Sequence, residues 1–373
     1  MNDFDESAEE WEFFVNLDQR VNSRKTNVAG SIVTDANHAS FVYRHLHEIE
    51  RFVEAIQKTW AAGFVKEITR YARHIKVRKL RLGHEYYRSL NNWIRQYRDI
   101  HRYSARAEVF YDVCKELGLM GQAPFRFGKP DDIAGADGVQ HMDKFNTLID
   151  RIRERCQSRE FKESGRLRRK RAERNGRNVL AMEKAMFSET GKSRWLLLSL
   201  TLRYKPEVCG SIKIKDVQRH RDRFFGARRY NALISGIKNY VWKIEQGEDT
   251  GLHLHVILFY SGDHSHDQFI ARQICEYWDK EVTQGRGAAW SSNEAWLKRR
   301  YQTYGHGVGV GQINWNDAEK RRALRKNLLY LAKAGQYLMI RGAERVRTFD
   351  MGHLPTKVKS GRPRGDAGPG KPA

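Results

Sequence analysis

The sequence predicts an α+β protein, with a mainly α-helical N-terminal region followed by a domain built on an antiparallel sheet with flanking helices. Three observations lead there. Over residues 38 to 120 the apolar positions return every three or four residues, the period of an amphipathic helix. After residue 190 that period gives way to short apolar runs, RWLLLSLTLRY at 194–204 first among them. Finally, NALISGIKNYVWKIEQGEDTGLHLHVILFY at 231–260 reads as a helix, a strand around VWKIE, a turn at GEDTG and a second strand, so the two strands pair as a hairpin-like unit. At 373 residues the chain exceeds what one core usually organises, and two units are expected.

In chain order, residues 1–37 are polar and mixed in charge, and disorder is expected there. Residues 38–185 form a helical region of unknown role. FVYRHLHEIERFVEAIQKTWAAGFVKEITRYARHIK keeps the helical period, and NNWIRQYRDIHRY continues it. Pro and Gly cluster in GQAPFRFGKPDDIAGADG and break the pattern; MDKFNTLIDRIRERC resumes it. The stretch 162–177, KESGRLRRKRAERNGR, holds eight basic and two acidic side chains, and reads equally as a solvated helix face or linker and as an arm that contacts phosphates. In the second domain, residues 190–350, DQFIARQICEYWDKE has helical spacing, YGHGVGVGQINW carries four glycines on alternate positions, and DAEKRRALRKNLLYLAKAGQYLMI is a basic amphipathic helix. The basic tail, 354–373, is expected to be disordered, and no internal repeat occurs.

A formal charge of +23, from 68 Lys and Arg against 45 Asp and Glu, makes nucleic acid the first partner to consider. No run approaches the roughly 18 apolar residues of a spanning helix. The start, MNDFDESAEEWEFF, is acidic and unlike a signal peptide, so a soluble cytoplasmic protein without membrane contact is expected. Cys114, Cys156, Cys209 and Cys275 lie far apart without a CxxC pair, which suggests neither a disulfide framework nor a zinc site.

In a strand, residues two apart share a face, so His253 and His255 point the same way and can share one cation. With 14 histidines in the chain, such a pair alone is weak evidence, and two packed rings explain it as well. Glu245 ends the preceding strand; if VWKIE and LHLHV pair, its carboxylate reaches the same patch. Two nitrogens and an oxygen, with positions left for water and phosphate, suit Mg²⁺ or Mn²⁺ as a Lewis acid, although imidazoles also bind zinc. A neighbouring Lys or Arg could instead take up Glu245 as an ion-pair partner. Further on, Tyr330, Lys333 and Tyr337 occupy i, i+3 and i+7, one stripe of a helix. A phenol is a poor nucleophile until a cation lowers its pKa, and Lys333 lies one turn away; tyrosines on an apolar stripe also serve cores.

An apolar strand such as LLLSLTLRY, then His-hydrophobe-His, then Tyr-x-x-Lys, in that order, resembles the three motifs of the HUH endonuclease superfamily, the rolling-circle replication initiators and their relatives. The placement of Glu245 is similar to the third ligand of the viral initiators in that group. More narrowly, YVWKIEQGEDTGLHLHVILFY, the helix, the Gly-rich segment, YLAK and RTF resemble the YagK/YfjJ C-terminal domain, grouped with gene II-type replication proteins of filamentous phages (inoviruses). The likeness covers about residues 190 to 350. It implies an HUH-type antiparallel sheet in which His253, His255 and Glu245 hold a divalent metal against a scissile phosphate. It also implies that Tyr330 attacks phosphorus, leaving a 5′-phosphotyrosine and a free 3′ hydroxyl, and that Lys333 settles charge on the phenolate or the phosphate. Tyr337 is the candidate second tyrosine, but its seven-residue spacing departs from two-tyrosine initiators and packing is preferred for it. The implied function is initiation of rolling-circle replication of a phage-like or mobile element by nicking and rejoining single-stranded DNA at an origin, together with host replication proteins. The rival reading is a DNA-binding regulator with a decayed nuclease site.

Other motifs weigh less. TGKS at 190–193 lacks the first glycine of a P-loop, Met186 standing there, and a strand follows it. GHGVGVG lacks dinucleotide-fingerprint spacing and is read as backbone that approaches a neighbour closely. His264 and His266 lie in a polar turn. Trp290, Trp296 and Trp315 sit among Arg and Lys, which suits base stacking, although most tryptophans serve cores.

Overall fold

The computed structural model describes residues 44–356 apart from 69–74, 100, 248–250, 304, 334–337 and 340–345, together with the strands Lys25–Val28 (β1) and Ser31–Thr34 (β2), which pair antiparallel. The remainder of 1–37, and the tail from 357 onward, lie outside the described residues.

The first unit contains Arg44–Lys58 (α1), Phe64–Ile68 (β3), Ile75–Lys79 (β4), Arg81–Tyr86 (α2), Leu90–Arg95 (α3), Arg102–Tyr103 (β5), Ala105–Glu116 (α4) and His141–Gln157 (α5). Apolar stripes of these helices meet in a core in which Phe52 stacks on Phe145, centroids 5.9 Å apart, and Trp93 meets Phe110 edge-on. The continuous helical period expected over 38 to 120 is interrupted: β3 and β4 form an antiparallel hairpin. IKVRK alternates apolar and charged residues over its first four positions, FVKEI does not, and Gly63 stands immediately before β3, five residues after α1 ends at Lys58. A Cβ on Gly63 would lie 2.3 Å from the Phe145 ring, so only glycine lets the chain pass there, and Asn146 Oδ1 accepts hydrogen bonds from the Gly63 and Phe64 amides at 2.9 and 3.1 Å.

The charge run lies within one helix, Arg159–Ser188 (α6), whose N-cap Ser158 accepts from the Phe161 amide at 3.2 Å. Phe161 packs on the first core, while Val179, Met182, Met186 and Phe187 belong to a core of the second unit. The strand Arg194–Tyr204 (β6) follows this helix, so TGKS joins a helix to a strand, the reverse of a P-loop.

The second unit is a six-stranded, wholly antiparallel sheet. Besides β6 it contains Ile237–Gly247 (β7), Gly251–Ser261 (β8), Gly287–Ser291 (β9), Gly311–Asn314 (β10) and Phe349–Met351 (β12), in the order β10-β6-β8-β7-β12. Strand β9 shares the outer edge of β6 with β10: β10 pairs residues 194–197 and β9 pairs residues 200–204. Strands β6 and β8 are apolar on both faces because both faces are covered. On one face Leu198, Leu200, Leu254, Val256 and Leu258 pack against Ile214–Gly226 (α8) and Asp267–Tyr277 (α10). On the other, Trp195, Leu197, Val241, Ile257 and Phe259 pack against α6 and Ala318–Ala332 (α12). Each fully buried Leu, Ile or Phe contributes about 1.5–3 kcal/mol. Shorter helices complete the unit: Pro206–Cys209 (α7), Ala232–Ser235 (α9) and Ala295–Thr303 (α11).

Glu183, fully buried on α6, accepts from Arg321 Nε at 2.7 Å and Arg325 Nε at 2.9 Å on α12, fixing the two helices against each other. The expected stripe through residue 337 is cut short: α12 ends at Ala332, and Lys333 is already extended at φ −63°, ψ 148°. Gly335 follows closely, a helix stop signal, and Leu338–Met339 (β11) pairs with β5 rather than continuing a helix. Among the described residues no helix is long and apolar enough to cross a membrane.

Candidate metal centre

The hairpin register decides which side chains meet. Gly247 pairs with Gly251, which sets Glu245 opposite His253 and Lys243 opposite His255; on the other side of β8, Thr201 pairs with His255. Directly paired residues of antiparallel strands share a face, so Thr201, His253, His255, Lys243 and Glu245 project together. Leu254, Ile244 and Leu202 between them enter the core of the opposite face. The sequence alternation LHLHV is thus read as apolar to one side and imidazole to the other.

His253 Nε2 and His255 Nε2 are 3.1 Å apart, Glu245 Oε2 is 3.1 Å from His255 Nε2 and 4.0 Å from His253 Nε2, and the three ligand atoms lie within 4.8 Å of one another. Ligands about 2.1 Å from a six-coordinate cation are separated by roughly 3.0 Å when adjacent and roughly 4.2 Å when opposite, so these spacings fit one ion. The other ring nitrogens are held in place. His253 Nδ1 lies 3.1 Å from the Gly251 carbonyl, to which it donates, and His255 Nδ1 is 3.0 Å from Thr201 Oγ1, which directs both Nε2 atoms inward. Gly251 has φ +63°, the left-handed region, and that turn presents its carbonyl to the ring. This buried carboxylate and imidazole cluster can coordinate a metal ion. Among the described residues no other three His, Cys, Asp or Glu side chains converge in this way.

His253 is 1% exposed and Glu245 8%, and the His255 side chain is 13% exposed, so the cluster is deepest at His253 and nearest solvent at His255. Burial, reinforced by the neighbouring His255 ring, pushes His253 down to about 3, so it stays neutral and able to ligate. For Glu245 burial acts upward, but the Lys243 ammonium and the His255 ring outweigh it and hold the carboxyl well below its usual range. Lys243, only 6% exposed, has Nζ 2.8 Å from Glu245 Oε1. The ion-pair alternative for Glu245 is therefore present alongside the ligand geometry, one carboxylate oxygen facing the ammonium and the other facing the imidazoles.

Of the six residues singled out in the sequence, the fold brings Glu245, His253 and His255 together. Tyr330 lies half-buried in the last turn of α12, next to Leu331 and Ala332, which share a core with Val241 and Ile257, the same-face strand neighbours of Lys243 and His255. Lys333 caps that helix, its amide donating to Leu329 O at 3.1 Å. Tyr337 lies outside the described residues. His264 and His266 are exposed in the turn after β8, away from the cluster. In the Gly-rich segment a Cβ on Gly309 would lie 2.6 Å from the Leu324 amide nitrogen, which accounts for that glycine by close approach of the loop to α12. Sequence reasoning anticipated a neighbouring Lys or Arg for Glu245 without singling out Lys243, and it missed Thr201. Lys243 was within reach of it, because once Glu245 faces His253 the residue two before it must face His255. Thr201 required the register of β6 on β8, which no local pattern encodes.

No family model, curated protein or solved structure matches the chain.

Proposed function

We propose that this chain is a metal-dependent, site-specific endonuclease that nicks and rejoins single-stranded DNA, and that it initiates rolling-circle replication of a phage-like or mobile element. The observation that carries this reading is the convergence of two inward-facing imidazoles and one carboxylate on adjacent strands of a strongly cationic protein. Its motif order supplies the nucleophile, a tyrosine on the helix packed over the same sheet face. Mg²⁺ or Mn²⁺ held by Glu245, His253 and His255 would polarise a phosphate oxygen and neutralise charge that develops on it. Tyr330 Oη gives up its proton and bonds to phosphorus, the bond to the 3′ oxygen breaks, and that oxygen leaves as a hydroxyl. Lys333 offsets the phenolate charge before attack. The phosphotyrosine link retains the energy of the broken diester, so a 3′ hydroxyl can reverse the step. The Lys243–Glu245 pair favours the rival reading, a regulator that binds DNA without cutting it, because the carboxylate already has a cation.

Single-stranded DNA carrying the element's origin, labelled at its 3′ end, separates the two. With Mn²⁺ the nickase yields an SDS-stable labelled adduct that Tyr330→Phe abolishes. A regulator shifts the DNA and forms no adduct. An adduct lost in Tyr337→Phe but kept in Tyr330→Phe would reassign the nucleophile.

A further inference from the structure

The residue pairings extend the cluster into a row across five strands. Phe349 on β12 pairs with Lys243, Lys243 with His255, His255 with Thr201, and Thr201 with Trp290 on β9. All five face the same side, and Trp290 stands two strands from His255, about 10 Å away at the usual strand spacing. Its indole meets that of Trp296 edge-on, centroids 5.7 Å apart at 83°. Neither ring belongs to any of the three cores, and Trp296 is 44% exposed, whereas Trp93 and Trp278 are fully buried. Trp315, 58% exposed, differs: its amide bonds to Ser193 O at the far end of β6, so it shares no row with the cluster.

The pair is held firmly. Between the stretches of β6 covered by β10 and β9, the fully buried Asn293 completes the ladder, accepting from the Ser199 amide at 3.0 Å and donating to Leu197 O at 2.9 Å. It also donates to Asp267 Oδ2 at 2.7 Å, which accepts from Lys298 Nζ at 2.6 Å, so both the turn before Trp296 and the helix that carries it are anchored to the sheet. Arg299 and Arg300 follow Trp296 in sequence, and Arg203 lies two residues beyond Thr201 on β6.

An exposed indole backed by a second indole, with two arginines three and four residues on along the same helix and a phosphate-compatible cluster in the same strand row as its partner, is complementary to a base that carries its own negative backbone. We infer that Trp296, supported by Trp290, is the stacking platform for a nucleobase of the single strand whose neighbouring phosphate lies over the Glu245, His253 and His255 cluster. The inference rests on the proposed reading for the identity of the strand, and adds where a base is held. Because every base has a π face, the platform positions the strand and adds little sequence preference.

Fluorescence anisotropy on the full chain in EDTA tests it, with two labelled probes of equal charge: a thymidine 20-mer and an abasic 20-mer. The wild-type chain binds the base-bearing probe more tightly. Trp296→Ala loses about tenfold on the thymidine probe and nothing on the abasic one, Trp296→Phe recovers most of the loss, and the slope of log affinity against log salt stays the same. Equal wild-type affinity for both probes would assign the indoles to another occupant and overturn the inference. So would an Ala variant that loses as much on the abasic probe. A chain that shows this base-dependent loss but forms no covalent adduct keeps the platform and removes only the nickase reading.

Discussion

Glu245→Gln keeps the shape of the side chain and removes the carboxylate partner of Lys243, whose ammonium is 2.8 Å from it with the side chains 8% and 10% exposed. At an effective dielectric near 20, two unit charges at that separation attract by about 6 kcal/mol, most of it offset by the desolvation of both groups. Removing one partner exposes the uncompensated desolvation of the other, typically about 3–5 kcal/mol. The flexible lysine stem can lift the ammonium toward the solvent side at His255, which places the expected loss near the lower end, about 3 kcal/mol. Lys243→Met should cost less, because Glu245 Oε2 keeps its contact with His255 Nε2 at 3.1 Å. The double variant should recover to within about 1 kcal/mol of wild type, as neutral replacements of buried pairs often do. Thermal denaturation in EDTA at pH 7 reads this directly: a 3 kcal/mol loss in a domain of this size lowers Tm by roughly 6–12 °C. A Glu245→Gln chain within 1 kcal/mol of wild type, or a double variant no more stable than Glu245→Gln alone, would refute the assignment of a mutually dependent buried pair.

Calorimetric titration with Mn²⁺ should show binding by the wild-type chain and none by His253→Ala, while Thr201→Val, which only removes the partner of His255 Nδ1, weakens it about 10–100-fold. In EDTA, stability should fall as pH drops. His253 titrates at about 3 in the folded chain and near 6.5 when unfolded, so between those values the unfolded state binds the extra proton. The slope approaches about 1.4 kcal/mol per pH unit for this group, and urea melts at pH 7 and pH 5 should differ less in His253→Gln than in wild type, the difference that remains including His220, whose ring is also held below its usual range by burial. Asn293→Ala leaves the Ser199 amide and the Leu197 carbonyl of a buried strand without their side-chain partner, and should cost about 2–3 kcal/mol in the same melts.

The sheet domain was legible where local chemistry is repetitive. RWLLLSLTLRY becomes β6 over residues 194–204, and the turn between VWKIE and LHLHV gives the Glu245 to His253 pairing that the spacing implies. The hairpin β3–β4 was not, because FVKEI and IKVRK are short segments of a longer stretch whose apolar residues also satisfy the helical period; the ring of Phe145, some eighty residues on, bars a side chain at Gly63. The end of α12 at Ala332 was likewise overridden from a distance, since Leu338 and Met339 pair with Tyr103 and Arg102. In the candidate site, the residues carried by one hairpin could be read, whereas Thr201 and Trp290 depend on pairings between strands distant in sequence.

Helix α6 has a mechanical consequence. Phe161 packs against one core and Val179 lies in another, eighteen residues or about 27 Å along a single hydrogen-bonded rod. Such a shaft transmits torsion: one residue inserted at its solvated middle would turn everything beyond by about 100° and break the fit at one end or the other. Its phase is therefore part of the architecture, and its cationic side chains are presented at a constant angle to the sheet.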